Sequence, residues 1–131
     1  MKNISILGAT GSIGQNTLDL ISSEKNNFKV VGLTGSNNID LLAKNAIKFN
    51  AEVVATANDS KFHDLKEMLS GHKIEVCAGK NGVLEVASQQ ADWVMSSIVG
   101  SAGLLPGLKA LEAGANLALA NKESMVAAGP I

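Results

Sequence analysis

Glycines stand at positions 8, 11 and 14 of the stretch ILGATGSIGQNT, residues 6–17, where an apolar run gives way to a polar one. Spaced this way after a strand, they suit one kind of chemistry, the capture of an anion by backbone N–H groups. Gly8 supplies the backbone freedom for a sharp turn at the strand's end. Gly11 removes a side chain where a bulky group must approach the loop. Gly14, one turn into the following helix, lets that helix pack close against the strand. The N–H groups of the first helical turn, with a dipole worth about half a positive charge, then face the gap. A pyrophosphate fits those requirements. Thr10 and Ser12 add hydroxyls at the same place, and Ile13 can either cover the ligand or anchor the helix.

Two further stretches carry polar groups that such a ligand can use. Residues 33–40 read LTGSNNID, at the end of the next strand, where an acidic residue in NAD enzymes holds a ribose 2′-hydroxyl. No carboxylate stands there before Asp40, and Ser36 and Asn37 can donate hydrogen bonds to a 2′-phosphate. This tilts the choice toward NADP over NAD, although no Arg or Lys decides it. Asn38 also suits a helix cap, which does not exclude a ligand role. Residues 116–126 read NLALANKESMV and put Asn121, Lys122 and Glu123 at the carboxyl end of a strand, the edge where open α/β sheets bind ligands. An amide, a cation and a carboxylate together can orient a nicotinamide ribose and an anionic substrate. The plainer alternative is a solvated helix start with Glu123 near the positive dipole end. Ile98 to Gly103, IVGSAG, lines the same edge with small residues that permit close approach.

These residues need elements to position them, and the chain supplies an alternation. Strand-like runs fall at 4–7, 29–34, 52–55, 74–77, 92–96 and 116–120. Between them apolar residues recur at helical spacing: Ile13, Thr17, Leu20 and Ile21; Ile39, Leu42, Ala43 and Ala46; Phe62, Leu65 and Leu69; Leu104, Leu108 and Leu111. Residues 80–90 read as a shorter helix. Asn38, then Asp59 and Ser60, mark helix starts, and Gly114 marks a stop. Such alternation predicts an α/β fold, a doubly wound parallel sheet of the Rossmann-like NAD(P)-binding kind. Right-handed crossovers place 29–34 and 52–55 on one side of the first strand and 92–96 and 116–120 on the other. The run 74–77 is expected outside 52–55. A bare G-x-x-G-x-x-G, which is not the G-x-G-x-x-G of typical NAD enzymes, reads most plainly as a turn that binds nothing. Following a strand and opening an amphipathic helix in an alternating chain, it reads as a dinucleotide site.

Composition narrows the partners. The 131 residues fit one domain, and aromatics at 3% against 46% hydrophobic residues demand an aliphatic, alanine-rich core. A net charge of −1 offers no basic field to nucleic acid or to an anionic membrane, so neither is expected as a partner. Cys77 is the one cysteine, which excludes an internal disulfide and a cysteine metal cluster and fits a reducing, cytoplasmic location. The chain enters a strand by residue 3, so no signal peptide is expected, and its stop at Gly-Pro-Ile suggests a fragment of something longer. His63 and His72 lack partners at ligand spacing, so surface or structural roles are expected of them, with Cys77 a buried strand residue and Trp93 a packing residue.

Taken together, GATGSIG, LTGSNN, IVGSAGLLP and LANKES resemble one family over essentially all 131 residues. The chain is similar to the N-terminal NADPH-binding domain of the 1-deoxy-D-xylulose 5-phosphate reductoisomerases. The resemblance implies an enzyme of the non-mevalonate isoprenoid pathway that rearranges 1-deoxy-D-xylulose 5-phosphate and reduces the product with NADPH to 2-C-methyl-D-erythritol 4-phosphate. It implies that Thr10, Gly11, Ser12 and Ile13 hold the cofactor phosphates and that Ser36, Asn37 and Asn38 take the 2′-phosphate end. Asn121 and Glu123 would contact the cofactor, and Lys122 the sugar-phosphate substrate. The family often has Gly followed by Lys or Arg where this chain has Ser36 and Asn37, which removes a cation from the discrimination of NADP. The divalent metal, Mg or Mn, belongs to the full-length enzyme, and a homodimer is considered for it. No residue here takes a catalytic or metal-binding role, so the chain is expected to bind cofactor without turnover. Three alternatives remain. A short-chain dehydrogenase needs a catalytic Tyr, and the chain has none. A semialdehyde dehydrogenase needs a nucleophilic Cys in a loop, and a sensor module would bind NADP without chemistry.

Overall fold

A computed structural model describes residues 2–23 and 27–96, together with the backbone of a strand at 116–119. Six strands form one parallel sheet: β1 (Lys2–Leu7), β2 (Phe28–Gly35), β3 (Val53–Thr56), β4 (Glu75–Ala78), β5 (Trp93–Ser96) and β6 (Asn116–Leu119). Their order is β4-β3-β2-β1-β5-β6, with every neighbouring pair parallel. The expected arrangement on both sides of β1 is observed, with β4 outside β3. Among the described residues four helices make the connections from β1 to β5: α1 (Ser12–Ser22), α2 (Ile39–Phe49), α3 (Phe62–Met68) and α4 (Gly79–Ala87). Crossovers through α1, α2 and α3 all step outward in one direction, so right-handedness puts these helices on one face. The crossover through α4 returns past β1 to β5 and lies on the other. The strand order therefore reverses between β1 and β5, which opens a crevice outside their carboxyl ends.

Alternation along the strands divides the core accordingly. Ile4, Ile6, Val30, Leu33 and Val54 pack with Leu18, Ile21, Leu42 and Leu65 on the three-helix face. Leu7, Val53, Ala55 and Val94 pack with Val83 and Val86 of α4. Val30 and Leu33, three apart, share a face because the β1–β2 register slips after the Ile4–Val30 pair, leaving Val31 as the extra residue before Ser5 meets Gly32. Gly32 is needed there: a Cβ would lie 2.7 Å from Val86 Cγ1, so α4 packs where a side chain is missing.

Three local expectations need correction. The inward face of α1 is Gly14, Leu18 and Ile21, whereas Ile13 is 46% and Leu20 70% exposed. Apposition of Gly14 to the strand end fixes the helix rotation and turns Leu20 to solvent. The start signal before Phe62 is Asn58, which caps a 3-10 turn at Asp59–Lys61 by accepting from Ser60 N–H, and α3 itself begins with no side-chain cap. Trp93 opens β5 but is 38% exposed, so it is not a core packing residue. Elsewhere, α4 runs from 79 rather than 80 and ends at 87, and Asn38 caps α2 through Leu41 N–H at 3.2 Å as expected. The helical pattern at Leu104–Leu111, its stop at Gly114 and the IVGSAG stretch lie outside the described residues. No described helix is long and apolar enough to cross a membrane.

Candidate functional site at the carboxyl edge of the sheet

The glycine loop joins the end of β1 to α1, and its three glycines have three different physical reasons. Gly8 has φ +83°, a left-handed conformation that disfavours any side chain. Gly14 is a matter of packing: a Cβ there would stand 2.6 Å from Ala9 Cα and 2.7 Å from Ala9 O, both backbone atoms. Gly11 has neither reason. Its φ of −77° and ψ of 169° are ordinary extended values, and the nearest atom to an added Cβ is Gly8 O at 3.6 Å, an ordinary contact. Among the described residues nothing around Gly11 requires it to be glycine. The space in front of it is open to a ligand.

Hydrogen bonds decide which loop donors remain for that ligand. Gly8 N–H donates to Thr34 Oγ1 at 2.8 Å and Ala9 N–H to Thr34 O at 2.7 Å, so one residue of β2 clamps two successive peptides. Gln15 Nε2 donates to Ala9 O at 2.8 Å. Across a trans peptide the N–H points opposite to the C=O, so this bond turns Thr10 N–H away from the helix. The first bond into α1 is Gln15 N–H to Gly11 O at 2.9 Å. Ser12, Ile13 and Gly14 precede it and have N–H groups with no acceptor inside the helix. Gly11, as N-cap, has no side chain to satisfy them. The first turn therefore presents a row of donors to the crevice. Ile13, exposed above it, does not anchor the helix, which leaves covering the ligand as its available role.

The second stretch sits beside the first. A Cβ at Gly35 would meet Thr10 Cγ2 at 3.0 Å and Thr10 Oγ1 at 3.2 Å, so the missing side chain at the end of β2 lets Thr10 lean against the turn that follows. Ser36, Asn37 and Asn38 are all exposed. Ser36 O accepts from the Thr56 hydroxyl at 2.7 Å, and Asn37 Oδ1 accepts from Asn58 Nδ2 at 2.7 Å. Asn38 Oδ1 is committed to capping α2. With these oxygens engaged, Ser36 by its hydroxyl and Asn37 and Asn38 by their amide N–H groups are the donors the exposed turn can offer. Asp59, the nearby acid after β3, is turned to Gly79 at the start of α4 and packs against the place a Cβ would take. A carboxylate there suits the positive end of a helix.

Thr10, Gly11, Ser12, Ile13, Ser36, Asn37 and Asn38 thus share one edge. Asn121, Lys122 and Glu123 lie outside the described residues. Sequence reasoning missed the supporting set of Thr34, Gly35, Gln15, Thr56 and Asn58. A signal was available for two of them, since Thr34 and Thr56 are polar residues directly following the apolar runs 30–33 and 53–55. Concavities among the described residues also lie away from both loops. One of about 580 Å³ is lined by His63, Lys66, Glu67, His72, Ile74 and Glu75 among others. Another of about 340 Å³ lies between Ile21, Phe28, Lys29 and Phe49. Among the described residues no group of three or more His, Cys, Asp or Glu is placed to hold a metal ion. Cys77 is half-buried in β4, and burial, then the charges of Glu75 and Glu85, push its thiol pKa up. A thiol so placed is a poor nucleophile.

Comparison with known proteins places this edge in a family context. The sequence profile described as 1-deoxy-D-xylulose 5-phosphate reductoisomerase matches residues 4–129. A 1-deoxy-D-xylulose 5-phosphate reductoisomerase of Ruegeria sp. (strain TM1040) is 52% identical over 131 residues, covering 100% of this chain and 33% of that protein. Among solved structures, the reductoisomerase from Zymomonas mobilis in complex with NADPH superposes with a TM-score of 0.90 at 44% identity, over 98% of this chain and 34% of that one. A second reductoisomerase, in complex with NADPH, fosmidomycin and magnesium, gives 0.88 at 36% identity, over 96% of this chain and 31% of the other. The chain spans about a third of the length of the curated relatives it matches.

Proposed function

The chain belongs to the 1-deoxy-D-xylulose 5-phosphate reductoisomerase family, and on that premise we propose that its residues bind NADPH at the carboxyl edge of the sheet. The pyrophosphate lies over Gly11 against the N–H groups of Thr10, Ser12, Ile13 and Gly14. The 2′-phosphate meets Ser36 and Asn37, with Asn38 holding the start of α2 beneath them. The observation that carries this reading is Gly11, the one glycine of the loop that the protein's own packing does not demand. Two solved relatives whose folds superpose on this chain were obtained with NADPH, which supports the choice of cofactor.

In the longer protein this domain serves an enzyme that rearranges 1-deoxy-D-xylulose 5-phosphate and reduces the product to 2-C-methyl-D-erythritol 4-phosphate, a step toward isoprenoids. Bound NADPH supplies the hydride. The residues of this chain grip the phosphates, orient the cofactor along the crevice and place no carboxylate of the 33–39 turn against its 2′-phosphate. Asn121 and Glu123 then extend the cofactor contacts, and Lys122 reaches the sugar phosphate. A divalent cation, magnesium or manganese, would be held by residues beyond those of this chain in the longer protein. A cytoplasmic, homodimeric full-length protein completes the reading.

Ser36→Asp tests the 2′-phosphate assignment. A carboxylate about 4 Å from a phosphate of charge near −2 costs about 2 kcal/mol even at the dielectric of water, so NADPH affinity should fall by tenfold or more. NADH, with no charge at that position, should be far less affected. Parallel calorimetric titrations decide it. Equal losses for the two cofactors would mean that the turn is only a helix cap.

A further inference from the structure

The turn that receives the 2′-phosphate is held from β3, and that support fixes which atoms it shows. We infer that Asn58, acting through Asn37, sets the preference for a 2′-phosphorylated dinucleotide. This rests on the NADPH reading above and adds a residue to it that touches no ligand.

Ser60 supplies the fixed point, because a backbone N–H can only donate. It donates to Asn58 Oδ1 at 3.0 Å, and the Ser60 hydroxyl lies 2.6 Å from the same oxygen. With its oxygen engaged, Asn58 must offer its amide nitrogen on the other side, and Nδ2 donates to Asn37 Oδ1 at 2.7 Å. Asn37 therefore accepts with its oxygen and carries its own NH₂ group outward, at an exposed position. The orientation of an Asn amide is otherwise free to flip. Here one main-chain donor dictates it through two side chains. The base of the relay is firm as well. Asn58 N–H donates to Thr56 Oγ1 at 3.2 Å, and that hydroxyl, fully buried, donates to Ser36 O at 2.7 Å.

The outcome is a turn whose exposed donors include the Ser36 hydroxyl and the Asn37 NH₂. A phosphate oxygen accepts from both, and hydrogen bonds to a charged acceptor are about twice as strong as neutral ones. A ribose 2′-hydroxyl gains much less. Fixing the NH₂ outward is thus worth most to NADPH, which makes Asn58 a positioning residue for specificity.

Asn58→Asp tests this, because aspartate is as good a cap for Ser60 N–H and keeps the 3-10 turn. Its second oxygen can only accept, so Asn37 must rotate its NH₂ inward and present Oδ1 to the ligand. NADPH affinity should fall about tenfold, as expected when one hydrogen bond to a charged group is lost. NADH affinity and the thermal melting point should stay unchanged. Placing the same change in an Asn37→Ala background separates relay from charge. If Asn58 works through Asn37, N58D costs N37A little further NADPH affinity. An equal loss in both backgrounds would mean that the new charge acts directly, and the inference fails. A wild-type chain that prefers NADPH, with N58D leaving the preference intact, overturns the inference alone. A wild-type chain with no preference for NADPH overturns both it and the reading beneath it.

Discussion

Replacing Gly11 by Val should abolish NADPH binding by this chain and leave its fold intact. The backbone at Gly11 is already extended, at φ −77° and ψ 169°, which a β-branched residue adopts readily. Among the described residues the nearest atom to the new Cβ is Gly8 O at 3.6 Å, an ordinary contact, so the folded chain loses little. An Ncap exchange of this kind costs about 1 kcal/mol or less. The isopropyl group instead occupies the space over the first turn of α1, where the pyrophosphate must approach to reach the N–H groups. Losing two hydrogen bonds to a charged group, at about 1.5–3 kcal/mol each, is worth a hundredfold or more in affinity. Titration with NADPH beside a circular dichroism melt checks both halves. Unchanged affinity in a folded variant would remove Gly11 from the site.

Gly14→Ala should do the reverse of what helix propensity says. Ala is favoured over Gly inside a helix by about 0.8–1 kcal/mol, so an isolated α1 would gain. In the fold the single added Cβ falls 2.5 Å from Gly8 O and under 3 Å from Ala9 Cα and Ala9 O. No flexible side chain can yield there, since all three atoms are backbone. Helix α1 must be pushed off the end of β1, at a cost of about 3 kcal/mol in line with other overpacked sites. For a domain of this size that lowers the melting temperature by roughly 10 °C. A melting temperature equal to wild type or higher would show that the helix–strand contact is looser than described. The same glycine-to-larger change thus separates two roles three residues apart, one in binding and one in packing.

Much of this was legible before any coordinates. The sheet order followed from the strand–helix alternation and the right-handed crossover, both of which depend on local pattern alone. The order of the glycines and Asn38 as a cap were equally local. The inward face of α1 was not, because Ile13 and Leu20 look as apolar as Leu18 and Ile21. What orients the helix is the contact of Gly14 with Gly8 and Ala9, just past the end of β1, and glycine carries no hydrophobic signal. The supports of the site were hidden for a related reason. Gly8 meets Thr34 across 26 positions, Thr56 meets Ser36 across 20, and Asn58 meets Asn37 across 21. Such bonds exist only once parallel strands have brought their carboxyl ends together. The contacts of Asn121, Lys122 and Glu123 fall outside the described residues, so their part of the site rests on motif alone.

The central claim is that the NADPH phosphates sit on the first turn of α1 and on the turn after β2. A titration of the ¹⁵N-labelled chain with NADPH, followed by amide chemical shifts, locates the ligand directly. The largest changes should fall on the backbone amides of Thr10, Gly11, Ser12, Ile13 and Gly14. The side-chain NH₂ of Asn37 should shift with NADPH and much less with NADH. Shifts confined to the residues around His63, Lys66 and His72, with the glycine loop silent, would contradict the account.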